Sequence, residues 1–276
     1  MEALFLDARV GKIQYRRGGS GPALVYLHSA SGEGEGLELL DLLAARFDVI
    51  APMFPGFGDS DGIDQIDDME DVTFHVLDLL DRLDIERPIL VGASLGGWMA
   101  AEVASRYPDR VGRLVLVNPA GLYIAGAEIK DIFGRTLADM VPDLYYDDQH
   151  PMAQLMHQFE ALADDRDAEL PFELVRPFLQ TMAATARLAW DPYLHNPKLR
   201  GRLWRIGVPT LVVRASGDTL IPEAHARAYA AEIPDATYVE IERAAHMVMI
   251  ERPEAVADAI AAFAAPGAVT PVSPLP

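Results

Sequence analysis

Apolar residues recur along this chain in two rhythms. Short unbroken runs stand at residues 23–27 (Leu24, Val25, Tyr26 and Leu27 among them), 48–51, 88–91 and 114–117. Such runs are expected of strands buried on both faces. Between them the spacing becomes helical. Leu39, Leu40, Leu43 and Ala44 form one stripe within residues 37–47, and Val72, Val76, Leu79, Leu80 and Leu83 form another. A third helix is expected over residues 97–104, after the run at 88–91. Residues 13–16 alternate in period two, which predicts an early antiparallel strand. Strand, helix, strand repeated in this way predicts an α/β fold: a mostly parallel sheet with helices on both faces.

The rhythm then breaks. Residues 121–202 hold no buried strand run, only helix-like stretches at 153–163 and 172–188, interrupted by Pro142, Pro151, Pro171, Pro192 and Pro197. Alternation resumes with a strand at 210–213, a helix at 223–232, a strand at 237–241 and a helix at 253–263. About eighty residues is long for an ordinary crossover, so an inserted helical lid is expected. The predicted organisation is a core of residues 1–120 and 204–265, a helical cap at 121–203, and a flexible tail at 266–276 rich in Pro and small residues.

Composition narrows the possible functions. A net charge of −19 opposes a nucleic-acid surface and binding to anionic membranes. The chain has no cysteine, which removes disulfides, thiolate metal sites and cysteine nucleophiles. The first residues, Met1-Glu2-Ala3-Leu4-Phe5, lack the basic and long apolar regions of a secretory signal. No run approaches the eighteen or so apolar residues of a membrane span. A cytoplasmic protein is expected.

The candidate chemistry centres on Gly92-Ala93-Ser94-Leu95-Gly96, between a strand run and a helical stretch. Serine on a tight strand-to-helix turn is the nucleophile-elbow pattern, and glycines on either side avoid collisions that a Cβ would cause. A serine hydroxyl needs a base to take its proton, and the base needs an orienting acid. In this arrangement the chain order is Ser, acid, His. His246 follows the last strand and precedes the last helix. His225 sits inside a helical run and His195 in the lid region, so His246 is the predicted base. Asp218 lies just past the strand at 210–213, at the end where open sheets place ligand groups. The competing position reads Asn118, which carries no charge, so Asp218 is the predicted acid. An oxyanion needs N–H donors. One is Leu95, at a helix N-terminus. The other is expected from the loop after residue 27, at Ala30 with Ser29 as the neighbouring possibility. His28 is expected to brace that loop.

With these residues assigned, the chain resembles the α/β-hydrolase fold superfamily along nearly its whole length. The matching segments are Leu27-His28, Pro55-Gly56-Phe57-Gly58-Asp59-Ser60, Gly92 to Gly97, Gly217-Asp218, and His246 with Glu251-Arg252-Pro253. The resemblance implies an eight-stranded, mostly parallel sheet, a triad of Ser94, Asp218 and His246, a helical lid, and no cofactor or metal. Three positions depart from many relatives: Ser29 and Ala245 stand where Gly is usual, and Ala93 where His is usual. Dehalogenases and epoxide hydrolases of this fold use Asp as nucleophile, and Ser94 argues against both.

Three functions follow as expectations. The first is a serine hydrolase cleaving small carboxylic esters through an acyl-enzyme, its partner a small apolar ester or related acyl compound. The second resembles the carbon–carbon hydrolases of ring-cleavage diketo acids. Those relatives carry Trp after the catalytic His, where this chain has Met247, and an Arg for the substrate carboxylate, a role open to Arg187. The third is a hydrolase-like small-molecule binding protein. Ser29, Leu122, Tyr123, Met182, Arg187, Trp190 and Met247 are the expected substrate-binding residues. The sequence does not give an oligomeric state.

Overall fold

Eight strands form one sheet in the order β1-β2-β4-β3-β5-β6-β7-β8. They are β1 (Glu2–Ala8), β2 (Gly11–Gly18), β3 (Ala23–Leu27), β4 (Asp48–Pro52), β5 (Ile89–Ala93), β6 (Arg113–Val117), β7 (Thr210–Ala215) and β8 (Ala236–Ile241). The computed structural model describes residues 1–164 and 172–265. Only β1–β2 and β2–β4 pair antiparallel; every other neighbouring pair is parallel. The strand expected at residues 13–16 is the centre of β2. Its edge partner β1 was not foreseen, because Glu2, Asp7 and exposed Phe5 give it no buried run.

The apolar runs explain why the parallel strands lie where they do. Leu24 and Tyr26 of β3, Ile89, Val91 and Ala93 of β5, and Val115 and Val117 of β6 pack into one core layer. Val25, Leu27, Leu90, Leu114 and Leu116, alternating with them, pack into the other. Each strand therefore buries both faces, and an unbroken apolar run is what that burial needs. Helices α1 (Glu38–Ala44) and α9 (Pro253–Ala264) cover the first face. Helices α2 (Met69–Arg82), α3 (Leu95–Arg106) and α7 (Glu223–Glu232) cover the second. The start of α2 is fixed by Asp68, whose Oδ1 accepts the amides of Glu70 and Asp71 at 2.7 and 3.1 Å.

Between β6 and β7 the described residues form no strand beyond a single bridge from Gly121 to His195. They form helices α4 (Leu137–Leu144), α5 (Pro151–Asp164) and α6 (Phe172–Ala189) instead. Pro142 does not break the chain here; it lies inside α4, as Pro177 lies inside α6. Pro151 is the first residue of α5, where its missing N–H costs nothing. Pro171 and the tail at 266–276 lie outside the described residues. A four-residue helix, α8 (Val248–Glu251), follows His246. The insertion is anchored on α3 through buried Glu102, which accepts from Trp98 Nε1, Asn196 Nδ2 and Arg106 Nε.

Candidate active site

The turn from β5 into α3 holds Ser94 at φ 53°, ψ −112°, a region that non-glycine residues rarely enter. Its neighbours hold it there. Ser94 N–H donates to Val117 O on the adjacent strand, and Ser94 O accepts from Trp98 and Ala120. A Cβ on Gly92 would meet the backbone of Gly96, and one on Gly96 would meet Leu27 O and His28 O. Both glycines are therefore demanded by close backbone approach.

Ser94 Oγ lies 2.9 Å from His246 Nε2, and His246 Nδ1 lies 2.9 Å from Asp218 Oδ2. Asp218 is fixed through its other oxygen, which accepts the amides of Leu220 and Ile221 at 3.0 Å each. A carboxylate accepts at Nδ1, so Nδ1 carries the proton and Nε2 is left with a lone pair facing the serine hydroxyl. That arrangement can draw a proton from Ser94 and stabilise the imidazolium that results. All three side chains are buried.

The rejected acid position has its own task. Asn118 at the end of β6 donates through Nδ2 to His246 O at 2.9 Å and accepts Ala215 N–H at 2.9 Å. It clamps the base loop to the end of β7 with groups a carboxylate lacks, since Asp has no N–H to donate. Glu251, from the Glu251-Arg252-Pro253 segment, holds the same loop from the other side. Its Oε2 accepts Ala245 N–H at 2.7 Å, and its Oε1 accepts the amides of Tyr146 and Asp147.

The loop after β3 closes on Glu33. Glu33 Oε1 accepts Tyr26 OH and Ser29 N–H at 2.8 Å each, and Oε2 accepts Ser29 Oγ at 2.5 Å. Ser29 Oγ and Ser29 O in turn take the amides of Ser31 and Gly32. The amide of Ala30 has no partner among the described residues. Ser29 is thus the fastener of this loop, and its own N–H is already committed. His28 braces the base of the loop. Its Nε2 accepts Phe54 N–H at 3.0 Å, so Nδ1 bears the proton and donates to Ser29 O at 2.7 Å. Burial pushes its pKa down against the pull of Glu33, in keeping with a neutral ring.

Ser94 and His246 open onto a cavity of about 1210 Å³. Ser29, Ala30, Met182 and Met247 line it with them, beside Ile132, Met140, Leu220 and Ile221. Four expected lining residues do not. Leu122 is buried in the core of the α3 face, and adjacent Tyr123 points outward onto the His195 ring. Trp190 is 64% exposed and packs on Phe133. Arg187 is turned away, its guanidinium donating to Ile66 O and pairing with Asp67 at 2.6 Å. Among the described residues no cluster of His, Asp and Glu is arranged to hold a metal ion, and no helix is long and apolar enough to cross a membrane.

Asp143 on α4 was not foreseen and carries no local signal. Its carboxylate accepts from Lys130 Nζ, Thr219 Oγ1 and, at 2.7 Å, an Arg135 nitrogen. Burial raises its pKa, but these donors outweigh burial and hold it below the usual carboxylate value.

A serine facing a histidine and a buried aspartate, on a doubly covered eight-stranded sheet, defines the α/β-hydrolase class. The alpha/beta hydrolase family profile matches residues 24–259, and the chain belongs to that family. It is 31% identical over 259 residues to a protein of Mycobacterium phage D29 provisionally named a non-heme haloperoxidase, covering 88% of this chain and 87% of the relative. It is 27% identical over 262 residues to 2-hydroxy-6-oxo-6-phenylhexa-2,4-dienoate hydrolase of Burkholderia cepacia, covering 88% of each. Among solved structures, a serine hydrolase involved in carbazole degradation superposes with a TM-score of 0.75 at 24% identity, over 95% of this chain and 98% of that one. Naproxen esterase of Bacillus subtilis superposes at 0.71 with 20% identity, over 95% and 90%. At those identities the two structures bear on the fold alone.

Proposed function

We propose that this hydrolase cleaves carboxylic esters through an acyl-enzyme formed on Ser94. One observation carries the reading: the unbroken hydrogen-bonded row Ser94–His246–Asp218 ends at a cavity where the Ala30 amide has no internal partner. Ser94 Oγ attacks the ester carbonyl carbon as its proton passes to His246 Nε2. The carbonyl oxygen becomes an oxyanion beside the amides of Leu95, at the start of α3, and Ala30. Collapse breaks the C–O bond, and the alkoxide leaves with the proton from His246. Water then repeats the sequence on the acyl group and frees the acid. In this reading the helices of residues 121–203 act as a cap that closes the cavity from above and keeps bulk water from the site.

A second reading, carbon–carbon hydrolysis of a ring-cleavage diketo acid, draws support from the Burkholderia relative. It stands behind because Arg187, the expected partner for the substrate carboxylate, is engaged by Asp67 and Ile66 outside the cavity. The two separate in one experiment. Wild type is expected to hydrolyse p-nitrophenyl acetate and butyrate, and Ser94→Ala to lose at least about 10⁴-fold in kcat. Bleaching of a yellow ring-fission product much faster than ester hydrolysis decides for the second reading. Ester hydrolysis that survives Ser94→Ala unchanged overturns both.

A further inference from the structure

Four hydrogen bonds run between the insertion that follows β6 and the two loops that carry Asp218 and His246, and two of them, one from each loop, meet on Asp143. Asp143 is almost fully buried, with 4% of its side chain exposed. Its main-chain oxygen accepts the amide of His246 at 3.2 Å, and the next carbonyl, Leu144 O, accepts Met247 N–H at 2.9 Å. Its carboxylate accepts Thr219 Oγ1, one residue beyond Asp218. The same carboxylate takes Lys130, whose amide donates to Leu220 O at 3.1 Å, and Arg135.

We propose that Asp143 is a positioning residue, holding the acid loop and the base loop in mutual register from the helical insertion. The inference rests on the reading of Ser94, His246 and Asp218 as the catalytic row. The physical case is geometric. Asp218 and His246 stand on loops after different strands, and the 2.9 Å bond between them depends on both loops keeping their places. Asn118 ties the base loop to the sheet, but it reaches His246 O and leaves the His246 amide to Asp143. Two cations on the carboxylate offset the cost of burying its charge, and the third donor is the one that touches the acid loop. An apolar residue at 143 would fill the volume but leave Thr219 and Lys130 without an acceptor.

The test measures kcat and KM for p-nitrophenyl butyrate in the full chain. Asp143→Asn is expected to lower kcat by about 10- to 100-fold with KM within about twofold, because misplacement of the row weakens the transition state and not substrate binding. Thr219→Val is expected to lower kcat several-fold and Thr219→Ser to restore it. The threonine pair changes no buried charge, so it decides the matter if Asp143→Asn does not fold. Wild-type kcat in both Asp143→Asn and Thr219→Val overturns the proposal, as does a rise in KM at unchanged kcat. Ser94→Ala separates the two levels. If it is inactive while those variants match wild type, the positioning role alone has failed; if it is active, the catalytic reading has failed and takes this one with it.

Discussion

Glu33 shows how one side chain sets the shape of a loop that the proposed mechanism uses. It spends both carboxylate oxygens on Tyr26 and on the amide and hydroxyl of Ser29, so the turn after β3 closes around it. The Ala30 amide is what that closure leaves over. Glu33→Gln keeps one carbonyl oxygen but removes the charge and the second oxygen that accepts the Ser29 hydroxyl. The loop is expected to loosen and kcat for p-nitrophenyl butyrate to fall about tenfold, with KM nearly unchanged. That is less than the roughly 10²–10³ that outright loss of an oxyanion donor costs. An unchanged kcat in steady-state assays would remove Ala30 from the proposed mechanism. Ser29, placed by sequence among the substrate-binding residues, does line the cavity, yet its polar atoms are turned inward to Glu33. Nothing local in the sequence announces that pairing, because it depends on how a four-residue turn folds back on itself.

At the level of elements, the central strands were legible through burial on both faces, and half-buried β2 through its alternation. The runs that became β3, β5, β6 and β7 were readable because each strand is covered from two sides. Edge strand β1 and helix α4 were not, the first for want of an apolar run and the second because Pro142 reads as a break. The site divides the same way. Ser94, Asp218 and His246 stand at ends of strands or at the turn into a helix, where chain order and strand position suffice to nominate them. Residues on α6 cannot be nominated so simply. Met182 faces the cavity, whereas Arg187, five residues on, is rotated roughly 140° around the helix and faces Asp67. Sequence gives the helix but not its roll. The strand–turn–helix unit itself yields a prediction. Gly96→Ala would force a Cβ against Leu27 O and His28 O, both main-chain atoms that cannot rotate away. A loss of about 1–3 kcal/mol or more is expected in urea unfolding, with activity falling alongside as β3 and α3 separate. A wild-type midpoint in urea would refute the close approach.

Over the whole molecule, one contribution to acid stability comes from a histidine outside the row of Ser94, His246 and Asp218. His75 on α2 is buried against Phe54, and neither ring nitrogen has a partner among the described residues. Burial, opposed only by Asp78, pushes its pKa down to about 4. Unfolded, the ring titrates near 6.5. Between those values the unfolded chain holds a proton that the folded chain refuses, so stability falls as pH drops from about 6.5 towards 4, by about 3 kcal/mol in all. His75→Leu is expected to flatten that part of the profile and to be the more stable protein at pH 4.5, which urea midpoints at pH 7 and 4.5 will show. Equal pH dependence in the two proteins would exonerate His75. A different compromise is written into the backbone at Ser94. Its φ of 53° is a conformation worth about 1–3 kcal/mol of lost stability, which a glycine there would recover while deleting the hydroxyl. On the proposed mechanism, robustness and turnover are in competition at that single torsion, and the fold keeps a strained serine where a glycine would be the more durable choice.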